Sequence, residues 1–295
     1  MDSSVVTKSK KLVIPITDIV FLILGVKRDE VVAISIRPCP EWLYLAFGAV
    51  YAGVKVVGIS FTYKDGSDLI ASMERLQRCS LLAVDPGVDS KSWEILDTLI
   101  DGFTKEGHAK SVKLPSLRYV VGHRLSTLSD TSPSQPLKTI ADLLTDRTGH
   151  DDISLPILDP DDIVALFQTS GSTGTPKFVA RTHASCMHVR RIAGEQGLQY
   201  LSSTNAFNDR PFGWAGGTPL ACVIGQTRVT MSDRDAIDDD TQHEDQLARM
   251  FEVIVEEHCT MVAALPPRLM NMINRQVYIL YTKIRSFRSR RDTAS

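Results

Sequence analysis

The residues with the greatest capacity for chemistry are Thr169-Ser170-Gly171-Ser172-Thr173-Gly174-Thr175-Pro176-Lys177. This stretch holds five hydroxyl side chains, two glycines and one lysine. Glycines let a backbone turn sharply and bring its N–H groups close to an anion. Ser and Thr hydroxyls add donors, and lysine adds a compact positive charge suited to phosphate oxygens. The chemistry expected is the cradling of a nucleotide polyphosphate. A flexible Ser/Thr/Gly linker is the plainer reading, but few linkers follow an apolar strand directly and end in Pro-Lys just before a helix. A Walker-type loop requires Gly-Lys followed by Ser or Thr. Here Lys177 follows Pro176 and precedes Phe178, so that motif is absent.

A phosphate loop needs a rigid frame, and the flanking sequence predicts one. Val31-Val32-Ala33-Ile34-Ser35-Ile36 is a β-branched run suited to a buried strand. Pro38 and Pro40 mark a turn, Glu41 to Ala52 has helical spacing through Trp42, Leu45, Ala46 and Val50, and Gly53 stops it. Val54 to Ile59 is a second strand, Ser67 an N-cap for a helix over 68–78, and Leu81 to Val84 a third strand. A helix is expected over 93–103, a strand at 118–121 and a helix near 137–144. The strand Ile163 to Phe167 leads into the glycine-rich loop. Beyond the loop, helices are expected at 182–194 and 244–257, strands at 227–231 and 261–264, and a last helix opened by Pro266-Pro267. This alternation predicts an α/β fold, doubly wound, with mostly parallel sheets and flanking helices.

Thr169 through Lys177 resembles, along its whole length, the phosphate-loop signature of the adenylate-forming superfamily. That superfamily includes acyl-CoA synthetases, coumarate-CoA ligases, luciferases and peptide-synthetase adenylation domains. One departure is Phe178, where family members usually have Gly. Arg181-Thr182-His183 is similar to the family's continuation, in which Thr-His opens the next helix. The early segment Val31 to Ile34, Glu41-Trp42 and Ala46 to Gly53 is also similar, as is Arg210-Pro211-Phe212-Gly213-Trp214-Ala215-Gly216-Gly217. The latter block borders the acyl pocket in the family, though its frequent histidine is absent here. Phe212, Trp214, Gly216 and Gly217 are therefore candidate pocket residues, and a core role for the aromatics stands equally open. The resemblance covers about residues 24 to 275.

The resemblance implies an incomplete large N-terminal domain of an adenylate-forming enzyme, with ATP and Mg2+ bound and coenzyme A as co-substrate. A carboxylic acid, a fatty acid by family frequency, would be activated to an acyl-adenylate and passed to the thiol. Lys177 is the implied catalytic residue. Thr169, Ser170, Gly171, Ser172, Thr173 and Gly174 are implied to bind the phosphates with it. The family's later elements are Tyr-Gly-x-Thr-Glu, a subsequent Thr-Gly-Asp, and a lysine in a small C-terminal domain. Tyr-Gly-x-Thr-Glu does not occur here; Thr148-Gly149-His150-Asp151 precedes the phosphate loop, and Lys283 has the wrong context. The expectation is therefore a truncated chain, inactive alone, whose alternative role is non-catalytic nucleotide binding or pairing with a full-length relative or a separate C-terminal domain.

Composition sets the outer limits. The chain has 295 residues, 43% hydrophobic and 23% charged, with a net charge of −2. These values suit a soluble globular protein and give no reason to expect a nucleic-acid partner. Domain limits are expected at 1–23 (an irregular N-terminal segment), 24–276 (the partial nucleotide-binding domain) and 277–295 (an irregular basic tail containing Arg285, Arg288, Arg290 and Arg291). The apolar run from Leu12 to Val26 is interrupted by Pro15 and Asp18 and is too short for a stable membrane span. Asp233, Asp235, Asp238, Asp239 and Asp240 read as a solvated loop rather than a metal site. The five cysteines form no C-x-x-C pair, so neither a zinc site nor a disulfide framework is indicated, and a reducing, cytoplasmic compartment suits them. No metal ligands are assigned.

Overall fold

The computed structural model describes residues 24–36, 38–59, 67–84, 96–123, 137–145, 155–169, 177–195, 204–217, 226–231 and 243–274. They fall into two compact units, one drawn from residues 9–196 and 211–220, the other from 1–8, 197–210 and 221–295.

The larger unit contains β1 (Val31–Ser35), α1 (Pro40–Tyr51), β2 (Lys55–Gly58), α2 (Ser67–Arg75), β3 (Cys79–Val84), β4 (Gly102–Phe103) and β5 (Ala109–Lys110). It continues with β6 (Tyr119–Gly122), β7 (Lys138–Thr139), α3 (Ile140–Thr145), β8 (Ile163–Thr169), β9 (Lys177–Thr182) and α4 (His183–Glu195). Its seven-stranded sheet has the order β7-β6-β3-β1-β2-β8-β9, parallel except for the antiparallel pair β8–β9.

The central strands are mostly apolar because both faces are covered. Every residue of β1 and β3 is buried. Successive side chains point to opposite faces. Val32, Ile34, Leu81 and Ala83 pack in one cluster with Trp42, Leu45 and Ala49 of α1. Val31, Ala33, Leu82 and Val84 pack in another with Leu69 and Met73 of α2. The doubly wound α/β expectation is met. At the amino end of the sheet, Glu30 accepts two hydrogen bonds from the Arg118 guanidinium, at 2.7 and 2.8 Å. Arg118 also donates to the Gly25 carbonyl, and the Tyr119 hydroxyl donates to the Leu24 carbonyl. The chain entering β1 is thereby tied to the start of β6.

Several boundaries differ from expectation. Pro40 is the first helical residue of α1 rather than part of a preceding turn, with Cys39 in extended conformation at the N-cap. Proline suits that position because its missing N–H would be unpaired there anyway. The helix at 68–78 ends at Arg75, because the Leu76 carbonyl accepts from Cys79 N–H in the turn that launches β3. Helical structure at 96–99 does not reach Phe103. Gly102, at φ +144°, turns the chain into the β4–β5 pair instead. Lys138 and Thr139 form a sheet-edge strand before α3.

The smaller unit holds β10 (Asn205–Asn208), β11 (Thr227–Val229), α5 (His243–Glu256), β12 (Met261–Ala263) and α6 (Pro266–Asn274). Its parallel sheet has the order β11-β10-β12. Phe207 and Val229 of the sheet pack with Met250, Phe251 and Val253 of α5. Asp209 caps the entry to α6, its carboxylate oxygens each accepting from Leu265 N–H at 3.1 Å.

Candidate functional site

In the larger unit, parallel strands run with their carboxyl ends at one edge, where connections in open α/β sheets collect ligand-binding groups. β8 arrives there after burying Val164, Ala165 and Phe167. It pairs with β9 through Gln168 opposite Phe178 and Thr169 opposite Lys177. The Thr169 hydroxyl donates to the Lys177 carbonyl at 3.4 Å. The loop is thus the tip of an antiparallel hairpin, and its two ends are fixed. Both Thr169 and Lys177 are exposed, so their polar ends are open to a solvent-borne anion. Ser170, Gly171, Ser172, Thr173 and Gly174 lie outside the described residues, as do Thr175 and Pro176.

The strand β9 between loop and helix corrects the expectation that a helix follows the loop closely. Two contacts anchor the hairpin to the layer beneath. Gln168 Nε2 donates to the Ser72 hydroxyl at 3.0 Å. Phe178 packs partly buried against the cluster containing Leu69 and Met73. The Phe178 ring is therefore occupied in packing. β9 then delivers Thr182 to the start of α4. The Ser185 N–H donates to the Thr182 hydroxyl at 3.2 Å and the Thr182 N–H to the Ser185 hydroxyl at 3.0 Å, a reciprocal cap. His183 N–H donates to the Asp162 carbonyl. The Asp162 carboxyl lies below its ordinary range, chiefly through the hydrogen bond from Asp159 N–H and then through Arg28, with which it forms an ion pair.

The segment around Phe212 separates into core and surface. Phe212 is buried, its ring edge-to-face with Trp42 of α1 at 5.3 Å and 70°. Trp214 is 41% exposed, and Gly216 is exposed while Gly217 is buried. Turn hydrogen bonds run from Trp214 N–H to the Pro211 carbonyl and from Gly217 N–H to the Trp214 carbonyl. Gly213 presses on Gly58 at the end of β2, where a Cβ on Gly58 would stand 2.1 Å from Gly213 Cα. Only two glycines permit this approach. It seats the segment on the strand next to β8, at the carboxyl edge. Of the candidate pocket aromatics, Phe212 belongs to the core and Trp214 faces solvent.

Two further polar groups sit at this edge without a hydrogen-bond partner among the described residues: Ser35 Oγ at the end of β1 and His123 Nε2 just past β6. Both residues are buried. Nothing in local sequence marks them, because their environment is made by strands distant in the chain.

The family model for AMP-binding enzymes matches residues 20–292, and the chain belongs to that family. It is 26% identical over 254 residues to the putative acyl-CoA synthetase YngI of Bacillus subtilis, covering 82% of this chain and 43% of that protein. It is 24% identical over 181 residues to the long-chain-fatty-acid–CoA ligase ACSBG1 of Bos taurus, covering 60% of this chain and 22% of that one. Among solved structures, the anthranilate CoA ligase AuaEII in complex with anthranoyl-AMP superposes with a TM-score of 0.63 at 18% identity, over 84% of this chain and 42% of that one. The chain therefore spans less than half the length of these relatives. No helix among the described residues is long and apolar enough to cross a membrane.

Proposed function

We propose, from membership of the AMP-binding family, that this chain is the nucleotide-holding part of an acid-activating ligase. The hairpin loop from Thr169 to Lys177 takes the β- and γ-phosphates of ATP. The observation that carries the reading is the hairpin itself. It fixes both ends of a loop rich in glycine and hydroxyl residues, with the Thr169 hydroxyl and the Lys177 ammonium exposed beside it. Lys177 would neutralise phosphate charge, Ser170, Ser172 and Thr173 would donate hydrogen bonds to phosphate oxygens, and Thr169 would do so once its hydroxyl turns away from the Lys177 carbonyl. Donors held in place before the reaction cost no reorganisation when charge develops, which is how such sites lower a barrier. The reaction is attack of a carboxylate on the α-phosphate, forming an acyl-adenylate and pyrophosphate, followed by transfer of the acyl group to the thiol of coenzyme A. Magnesium would accompany ATP as the phosphates' counter-charge. The acid is a fatty or similar carboxylic acid, a choice supported by the fatty-acid ligase among the relatives. Trp214 and the Gly216-Gly217 turn would border its pocket.

A second reading is favoured by a specific observation. The family match at residues 20–292 takes in the Thr169–Lys177 segment, and the chain spans less than half the length of these relatives. On that reading residues 24–276 bind nucleotide without turnover, alone or beside a longer relative. Pyrophosphate release by the purified chain with Mg-ATP and a panel of fatty and aromatic acids separates the two. Release abolished by Lys177→Ala supports the ligase, whereas ATP binding without release supports the non-catalytic binder. Absence of both would refute the phosphate-loop assignment.

A further inference from the structure

Cys39, Glu41 and His123 each bring one ligand atom to a common point, and all three atoms lie within 4.8 Å of one another. Among the described residues no other group of three such side chains meets this condition. Cys39 is the N-cap residue of α1 and is buried. Glu41 lies in the first turn of the same helix and is half-buried. His123 stands just beyond β6, with its backbone N–H donating to the Val84 carbonyl at 2.8 Å, so its position is set by the sheet ladder. It is only 6% exposed, and Nε2 has no hydrogen-bond partner among the described residues. A buried imidazole nitrogen left unpaired loses its hydration without compensation. A metal ion beside it would restore a partner.

We propose that Cys39, Glu41 and His123 form a zinc site at the carboxyl edge of the larger sheet. The donor set is one sulfur, one imidazole nitrogen and one carboxylate oxygen. That combination suits zinc and excludes magnesium and calcium, which take oxygen ligands. Bond lengths of about 2.3 Å to sulfur and about 2.0–2.2 Å to nitrogen and oxygen put tetrahedral ligands roughly 3.5 Å apart. The three atoms therefore need to close by about 1 Å, within reach of side-chain rotation at Glu41 and Cys39. On binding, the Cys39 S–H bond breaks, its proton passes to solvent, and the sulfur lone pair forms the zinc bond. No electrons are transferred. Three protein ligands leave a fourth position for water or for a small anion. The ion ties the β1–α1 connection to the end of β6, two strands away across β3. The site does not depend on the phosphate loop, and its test is independent of nucleotide binding.

The experiment uses the full chain, stripped with a chelator and titrated with Co2+ and then Zn2+. Expected are a thiolate-to-cobalt charge-transfer band and tetrahedral d–d bands saturating at one ion per chain, displaced by zinc. Zinc in hundredfold excess over its dissociation constant should raise Tm by about 5 °C. Cys39→Ser should abolish the charge-transfer band. His123→Gln and Glu41→Gln should each weaken zinc at least tenfold. Should His123→Gln fail to fold, Glu41→Gln at the half-buried helix turn carries the test, with circular dichroism confirming the fold. No cobalt band with the folded wild type, or a band and zinc affinity that survive Cys39→Ser and Glu41→Gln, would overturn the proposal.

Discussion

Replacing Gly58 by alanine tests the packing that seats the 211–217 segment on the sheet. The new Cβ would stand 2.1 Å from Gly213 Cα and 3.1 Å from Gly213 N, and both are backbone atoms. Carbon atoms in contact sit at about 3.5–4.0 Å, so the two chains must separate by roughly 1.5 Å. Neither can swing aside as a side chain could. Overpacking of a fitted interior costs about 1–3 kcal/mol, and a backbone-to-backbone clash belongs at the upper end, about 3 kcal/mol. Gly213→Ala, whose Cβ would meet Gly58 carbons at 2.8 Å, needs a smaller shift and should cost about 2 kcal/mol. Gly107→Ala supplies the control. It has open space around it but a φ of +83°, so it should cost only the left-handed backbone penalty of about 1 kcal/mol. Urea unfolding followed by tryptophan fluorescence is the assay, since Trp42 and Trp214 lie in this unit. The midpoints should fall in the order Gly107→Ala, Gly213→Ala, Gly58→Ala with similar slopes. A Gly58→Ala protein no less stable than Gly107→Ala would refute the close approach.

Other consequences follow from the same contacts. Phe212→Ala, by removing a buried ring from the edge of Trp42, should cost about 3 kcal/mol in the same unfolding assay; a loss under 1 kcal/mol would place Phe212 outside the core. Asp209→Ala, which leaves Leu265 N–H at the entry to α6 uncapped, should cost about 1 kcal/mol, read by thermal melting. Glu30 lies below its ordinary value of 4.5, mainly through the paired hydrogen bond from Arg118. Its stabilisation should therefore be fully present above pH 4.5 and be lost as pH falls through the lowered folded value. Relative to Glu30→Gln, which should be less stable by about 2 kcal/mol at neutral pH, the wild-type advantage should vanish in an acid titration. A constant gap down to low pH would contradict the ion pair.

What was legible in the sequence follows from how each residue is buried. β1, β2 and β3 are buried on both faces, so their β-branched and aliphatic runs announce strands without any alternation to decode. α5 and α6 carry one apolar face each and are readable by helical spacing. β9 is not, because most of its residues are exposed at the sheet edge and no apolar pattern is left to see. β10 is short and flanked by asparagines, with only Ala206 and Phe207 buried, which gives too little signal to separate from a loop. The helix expected at 93–103 overran because Phe103 keeps the helical spacing, whereas the helical residues end at 99 and Gly102, at positive φ, starts β4. The segment from Thr169 to Lys177 stood out because its glycine, hydroxyl and lysine residues are adjacent in the chain, and the phosphate-binding role proposed for it rests on that local pattern. The cluster of Cys39, Glu41 and His123 did not stand out, since its parts meet only after β6 is placed two strands from β1.

The central claim is that the hairpin between β8 and β9 holds the polyphosphate of ATP through Lys177. Titration calorimetry of Mg-ATP into the folded chain, beside Lys177→Ala, tests it most directly. A charged hydrogen bond of about 1.5–3 kcal/mol predicts that the variant binds roughly 10- to 100-fold more weakly, with unchanged thermal stability. Equal affinity in the two proteins, or no binding by a wild-type chain that melts cooperatively, would contradict the account.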